Sequence, residues 1–179
     1  MVGGIGKAKR IALGTGARFT SFFASQQNFT SAPASLAGDP NKADTPFISS
    51  VQANSLNLAI YLGCKLGDKI RLGFNLDVIG FSFGGKQTGE FLANYTAQNS
   101  LSIPTPFNIL LINNNDRGMR NSEFFLRYCI DNRWSVKVAY QHLFVEYTTD
   151  SKIQTISAAN DRFRIKTNMF SFGLALTLH

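Results

Sequence analysis

The chain has 179 residues, a formal net charge of +7 and a charged fraction of 16%, against roughly 25% in an average soluble domain. This length fits one domain with a sizeable core. The basic residues are dispersed, without a Lys/Arg run or a nucleic-acid motif, so we expect no nucleic-acid partner. There is no apolar stretch of 18 residues, which excludes a transmembrane helix.

The chain opens with a strand fragment and a full strand. Ile5 precedes a short basic turn at 7–9, and the alternation over Ile11–Phe19 predicts a strand that runs to about Phe22. Because the first strand has so few residues, we expect the protein to continue upstream of Met1 with a signal peptide and about one and a half strands. Residues 24–53, rich in Ser, Ala, Asn and Gln, predict a long polar loop.

Residues 55–78 predict a β-hairpin, because apolar residues fall strictly on even positions along both halves. Period 2 places these residues on one face of a sheet. They are Leu56, Leu58, Ile60, Leu62, Cys64, Leu66, Ile70, Leu72, Phe74, Leu76 and Val78. To share that face, Leu66 must lie opposite Ile70 across a three-residue loop at 67–69, and Leu58 opposite Val78.

Residues 84–118 predict a second long loop, which contains glycines at 84 and 85 and prolines at 104 and 106. Its apolar run at 107–112 fits a strand extension, a helical turn or a segment folded back over the sheet.

A second hairpin repeats the pattern of the first. Apolar residues again fall on even positions over 124–130 and 134–140, around a turn at 131–133. This register places Glu123 opposite Gln141 and Arg127 opposite Lys137. A third polar loop at 148–161 follows, and the last strand runs over 162–179.

These elements predict a single all-β domain over 1–179. Seven strands are visible, and an eighth is expected upstream. Short turns at 7–9, 67–69 and 131–133 alternate with long loops at 24–53, 84–118 and 148–161, so each kind gathers at its own end of the sheet. The predicted fold is an up-and-down antiparallel meander β-barrel.

The direction in which the apolar face points, inward or outward, decides between a soluble barrel and a membrane barrel. Glycines in mid-strand on the polar side, apolar stripes of about 9–11 residues and the turn–loop asymmetry all favour the transmembrane type. The residues predicted to face lipid are Leu56, Leu58, Ile60, Leu62, Leu72, Phe74, Leu76, Leu126, Val136, Val138, Phe172, Leu174 and Leu176.

The opposite side carries charged and amide residues. They are Lys65, Arg71, Asn75, Asp77, Glu123, Arg127, Lys137 and Gln141. An eight-stranded barrel is only wide enough inside for side chains, so we expect a charge network that closes the interior rather than a pore. Two acids cannot neutralise four bases, so further partners are required.

The alternation changes phase at the loop end of three strands. Apolar residues move to odd positions after Val78, after Tyr140 and before Phe170. The change fits either β-bulges or a small apolar core inside the rim, and the sequence favours the rim core.

A family resemblance is carried by three segments. They are Gly73-Phe-Asn-Leu-Asp-Val-Ile-Gly-Phe-Ser-Phe-Gly84, Asn121-Ser-Glu-Phe-Phe-Leu-Arg-Tyr128 and the closing strand that begins Arg162-Phe-Arg164. Their texture resembles small outer-membrane β-barrel proteins of the Bacteroidetes type. The resemblance implies a location in the bacterial outer membrane, an eight-stranded barrel and no cofactor. The partners we expect are outer-membrane lipid and other envelope proteins met through the long loops.

Candidate chemistry is sparse. His142 and Glu146 lie four apart near the loop end, and some barrels that resemble this one are lipid A hydrolases, so His142 is a candidate base. No local nucleophile signature accompanies it. Cys64 and Cys129 show no metal-ligand spacing, so we expect no metal site. Three functions stay open: a structural, adhesion or accessory barrel, a lipid hydrolase, and a soluble lipocalin-like carrier.

Overall fold

The computed structural model describes residues 2–5, 10–39, 41–93, 96–111, 115–154 and 158–177. Within these ranges the protein is all-β and antiparallel, with one short helix. Its elements are β1 (Val2–Ile5), β2 (Ile11–Asn28), β3 (Thr30–Ser31), α1 (Ala34–Ala37), β4 (Phe47–Leu66), β5 (Ile70–Phe83), β6 (Gln87–Ala93), β7 (Thr96–Pro104), β8 (Phe107–Ile109), β9 (Arg120–Cys129), β10 (Trp134–Thr149) and β11 (Arg162–Leu176). The helix α1 has four residues, and nothing helical in the described part could span a bilayer.

The seven predicted strands are all present, and each pairs with the next. The order of pairing is β1–β2–β4–β5–β9–β10–β11. Leu66 lies opposite Ile70, and Glu123 lies opposite Gln141, as predicted. The alternation of apolar and polar residues fixes this register, because a slip of one residue would exchange the two faces. The predicted turn at 7–9 lies outside the described residues.

The predicted loop at 24–53 is wrong over much of its length. Strand β2 continues to Asn28 and β4 already begins at Phe47, and the two stay paired to their ends. Only residues 32–46 connect β3 to β4, and α1 lies within them. The polar composition was misleading because ladder hydrogen bonds join main-chain groups and do not depend on apolar side chains.

The predicted loop at 84–118 is also largely structured. It contains the hairpin of β6 and β7, followed by β8. The apolar run that begins at Phe107 is a strand at first, because Phe107–Ile109 pairs with Ile79–Phe81 of β5. The loop predicted at 148–161 is nearly correct, since β10 ends at Thr149 and β11 begins at Arg162, although 155–157 lie outside the described residues.

The new hairpin links the two sides of the sheet at the loop end. Strand β6 pairs with β4, and β7 pairs with β10. Strand β3, which continues the line of β2, pairs with β11 through Ser31 opposite Phe163. At this height, β2 and its continuation β3 are followed in hydrogen-bonded order by β4, β6, β7, β10 and β11, and β11 returns to β3.

The phase change after Val78 is a β-bulge and not the predicted rim core. Leu58 pairs with Ile79, while the next residue, Ala59, pairs with Asp77, so Val78 is the extra residue and not the partner of Leu58. One inserted residue moves the following apolar positions from even to odd numbers. Phe81 and Phe83 consequently stay on the same face as Leu58.

On β10 and β11 the phase change does build an apolar core. Its fully buried members are Phe29, Ile48, Val51, Ala53, Met119, Leu143, Val145, Tyr147, Ile153 and Phe163. The rings of Phe29 and Tyr147 meet edge to face with centroids 5.4 Å apart. The Tyr147 hydroxyl donates to the Gln52 carbonyl oxygen at 2.8 Å, which gives the buried phenol its polar partner.

The two faces of the long strands differ sharply in exposure. The apolar face carries large side chains open to the surroundings, such as Leu62 at 49% and Phe172 at 80%. Of the thirteen residues predicted to face lipid, Leu72 and Leu76 are only half-buried and the others are exposed. Leu76 is partly covered because the chain after β8 folds back there, where Leu110 donates its N–H to the Val78 carbonyl. The other face, called the polar face below, is largely buried.

Candidate functional site

The centre of the polar face is built around Asp77, whose side chain is fully buried. Arg18 Nε donates to Asp77 Oδ1 at 2.8 Å, and Asn57 Nδ2 donates to Oδ2 at 2.8 Å. The main-chain N–H of Asn121 donates to the same Oδ2 at 2.9 Å. Both oxygens are therefore satisfied, and a cation stands beside them, which is what an ionised carboxylate requires in a buried position.

A second carboxylate, Glu123, lies one layer nearer the turns and is 3% exposed. Lys137 Nζ donates to its two oxygens at 2.8 and 2.9 Å. Asn75 Nδ2 donates at 3.0 Å, and Gln141 Nε2 donates at 2.7 Å. Gln141 Nε2 also reaches Ser171 Oγ at 3.0 Å, which ties the layer to β11.

The two carboxylates belong to one network because Arg18 also donates to the Asn75 side chain. Of the eight residues predicted to form the network, five are joined by hydrogen bonds: Asn75, Asp77, Glu123, Lys137 and Gln141. Arg18, Asn57 and Asn121 were missed. A sequence signal for Arg18 was present. At a spacing of two residues, Arg18 shares one face of β2 with Gly14 and Gly16, which lie opposite Tyr61 and Ala59 of β4.

The remaining three predicted members lie apart from this network. Lys65 stands directly opposite Arg71, and Arg71 directly opposite Arg127. Charges held about 5 Å apart repel by roughly 3 kcal/mol at an effective dielectric near 20, before the side chains splay. None of the three forms an ion pair in the described part of the chain, which contains all 11 acids.

A separate charged cluster lies at the loop end, on the apolar-face side of β10 and β11. Glu146 is fully buried and receives Arg162 Nε and Nη2, each at 2.9 Å. The guanidinium groups of Arg164 and Arg120 lie over the Phe144 ring at 5.3 and 5.6 Å. Burial lowers the pKa of both arginines below the ordinary value.

His142 and Glu146 do not form a catalytic pair. The exposed His142 ring has Nδ1 2.6 Å from Asn168 Oδ1, whereas Glu146 is held by Arg162. Ser122 lies opposite His142, but its hydroxyl donates to the His142 carbonyl oxygen at 3.5 Å and not to the ring. The His142 imidazole is therefore held by Asn168 and lies beside the Ser122 hydroxyl, but no hydrogen bond joins the imidazole to that hydroxyl.

Within the described ranges, the His, Cys, Asp and Glu side chains include no group of three that could hold a metal ion. Cys64 and Cys129 are both free thiols.

Comparison of the chain with protein-family models, with curated proteins and with solved structures finds no match. The geometry of the two faces is therefore the ground on which a function can be assigned.

Proposed function

We propose that this chain is a small β-barrel of the bacterial outer membrane, with a structural, adhesion or accessory role exerted through its loop end. Its interior is closed by the network around Asp77 and Glu123. Its partners are outer-membrane lipid along the apolar face and other envelope proteins at the loops.

The observation that carries the proposal is the inverted burial of the two faces. Leu62, Phe124 and Leu174 are 49%, 55% and 73% exposed, while Asp77 and Glu123 are 0% and 3% exposed. In water, apolar surface is driven inward and charges stay outside. A barrel in lipid has apolar residues outside and polar ones inside.

The dimensions of the apolar face support a bilayer. The stripe from Leu56 to Leu66 covers ten residue steps, or about 33 Å along the strand at about 3.3 Å per residue. A tilt of about 40° reduces this to about 25 Å, the height of the apolar band of outer-membrane barrels. Tyr128 and Trp134 are exposed near the turn end of this face, where amphipathic rings suit a membrane boundary.

The strand pairings support closure. The loop-end circuit of β2 and β3, β4, β6, β7, β10 and β11 leaves few free strand edges at that height among the described residues. A closed ring removes unpaired main-chain groups, which lipid cannot satisfy.

The same geometry argues for a filled interior. Arg18, from β2, reaches Asp77 and Asn75 on β5, and Lys137, from β10, reaches Glu123 on β9, so side chains bridge the polar face at mid-height. A soluble lipocalin-like carrier would instead need an apolar chamber at this height. The apolar core of this chain is confined to the loop end.

A lipid hydrolase is the second candidate, and one observation favours it. Ser122, His142 and Asn168 lie opposite one another on β9, β10 and β11, on the lipid side. Ser122 and His142 line a cavity of about 220 Å³ together with Arg120 and Lys166. Lipid A mass spectra from cells that carry His142→Ala test it. An unchanged acyl profile removes the candidate, and loss of an acyl-chain deletion supports it.

The main proposal is tested by cell fractionation and by migration on SDS gels with and without heating. We expect the protein in the outer-membrane fraction, and an unheated, detergent-extracted band that runs apart from the boiled one. A protein that stays soluble without detergent and shows a single mobility would reject the proposal.

A further inference from the structure

The polar face carries an unusual row of cations near the turn end. Lys65, Arg71, Arg127 and Lys137 occupy directly opposed positions on β4, β5, β9 and β10. Like charges directly opposite one another destabilise a sheet. Negative charges beside this row would offset the repulsion between its members.

Among the described residues, one member of the row has a counter-charge. Lys137 is paired with Glu123, while Lys65, Arg71 and Arg127 form no ion pair among the described residues. Two turn acids lie nearby. Asp131 is engaged, because its carboxylate accepts the N–H groups of Arg133 and Trp134, each at 2.7 Å. Asp68, in the turn between Lys65 and Arg71, is exposed and forms no ion pair among the described residues.

The row opens onto a cavity of about 520 Å³. Its lining includes Tyr61, Gly63, Lys65, Arg71, Phe125 and Arg127. Arg127 Nε is shielded from solvent and has no hydrogen-bond partner, and its guanidinium lies 5.4 Å from the centroid of the Phe125 ring. A buried donor without a partner is rare in a folded protein and points to a missing acceptor.

The layer behind the row is lined by two glycines and an aromatic ring. Gly63 lies opposite Gly73, so two neighbouring strands present no side chain there. A Cβ at Gly73 would overlap the Phe125 ring, which shows how that ring uses the space. The cavity is therefore lined by three cations and the Phe125 ring, and also by the apolar side chains of Leu62, Leu72 and Leu176.

We infer that this cavity binds a phosphate group, carried either by a lipid headgroup or by a free phosphate. Two arginines offer planar forks that match phosphate oxygens, and Lys65 adds a point charge. A phosphate bound here supplies the acceptor that Arg127 Nε lacks and offsets the repulsion along the row.

The test compares two double variants of the full chain, folded in a zwitterionic detergent. Arg71→Gln with Arg127→Gln removes two charges from the cavity. Lys86→Gln with Lys152→Gln removes the same charge from exposed positions elsewhere. Inorganic phosphate is titrated by calorimetry and by heat unfolding at constant ionic strength.

We expect phosphate to raise the unfolding temperature of the wild type and of the lysine control, and to bind the cavity variant about tenfold more weakly or worse. Without phosphate, the cavity variant should unfold no earlier than the wild type, because its like charges have been removed. An earlier unfolding, or equal phosphate effects on the two variants, would overturn the inference.

A second arm identifies the source of the phosphate group. The same proteins are mixed with phosphatidylglycerol–phosphatidylcholine vesicles and with pure phosphatidylcholine vesicles. Variant-sensitive binding to the anionic vesicles alone assigns the site to a lipid headgroup, and sensitivity to inorganic phosphate assigns it to a free anion. Binding in neither arm overturns the inference, while the free-phosphate arm is independent of membrane location.

Discussion

Arginine substitutions at two positions of β4 distinguish whether the apolar face meets lipid or water. Leu62 and Leu66 lie on the same strand and the same face, and each is 49% exposed. They differ in height: four residue steps are about 13 Å along the strand, or about 10 Å of depth at a tilt of about 40°. Leu62 lies near the middle of the apolar stripe and Leu66 at its turn end.

In a bilayer the two substitutions have different costs. Arginine on the lipid face of a barrel costs about 2–4 kcal/mol at the midplane and about 0–1 kcal/mol near the interface. We therefore expect Leu62→Arg to lower the free energy of unfolding by about 2–4 kcal/mol and Leu66→Arg by no more than about 1 kcal/mol.

The assay is urea unfolding of protein inserted into phospholipid vesicles, followed by the fluorescence of Trp134, the single tryptophan. If the face met water, two equally exposed leucines would tolerate arginine equally, each within about 0.5 kcal/mol. Equal and small losses for the two variants would refute the membrane assignment of this face.

Three further predictions follow from the interior and the rim. Asp77→Ala leaves the mostly buried Arg18 without its ion-pair partner and should cost about 3–5 kcal/mol. Asp39→Ala, at the exposed Asp39–Lys42 pair, should cost far less, and similar losses for the two variants in urea unfolding would contradict the closed network. Gly73→Val drives a side chain into the Phe125 ring and should abolish the shift in gel mobility between unheated and boiled samples. Gly85→Val, in a more open position, should retain that shift. A mobility shift in Gly73→Val would disprove the contact. Burial raises the pKa of Tyr147 to about 12, whereas a tyrosine in the unfolded chain ionises near 10. The contribution of Tyr147 to the free energy of unfolding should therefore fall between about pH 10 and about pH 12. The tyrosinate absorbance of the wild type minus that of Tyr147→Phe measures this titration, and a midpoint near 10 would show that the ring is not buried.

The strands were predictable because period 2 has a physical cause. A strand with one apolar and one polar face tolerates no slip, so even-numbered leucines fixed both the strand and its register, down to Leu66 opposite Ile70. The extensions to Asn28 and from Phe47 were missed because Ser, Gln and Asn interrupt their apolar residues, although Ile48, Val51 and Ala53 are buried in the core. Their pairing is held by main-chain hydrogen bonds. The bulge at Val78 shifts the phase just as a rim core would, so the sequence alone could not separate them.

The network was only partly predictable. Glu123, Lys137 and Gln141 lie within one hairpin, so their grouping followed from its register. Asn75 and Asp77 were grouped with them because alternation places them on the same polar face. Arg18 is 59 residues from Asp77, and its role depends on how β2 meets β4 and β5. Arg127 lies directly opposite Lys137, yet only Lys137 reaches Glu123, and side-chain alternation does not encode that difference.

The most direct test of the central claim asks whether Trp134 touches lipid. Trp134 is 46% exposed at the turn end of the apolar face. With protein in vesicles of brominated phospholipid, we expect strong quenching when the bromines lie near the headgroups and weaker quenching when they lie near the bilayer centre. Emission that resembles tryptophan in water, with no quenching by either lipid, would contradict the account of this chain as a membrane barrel.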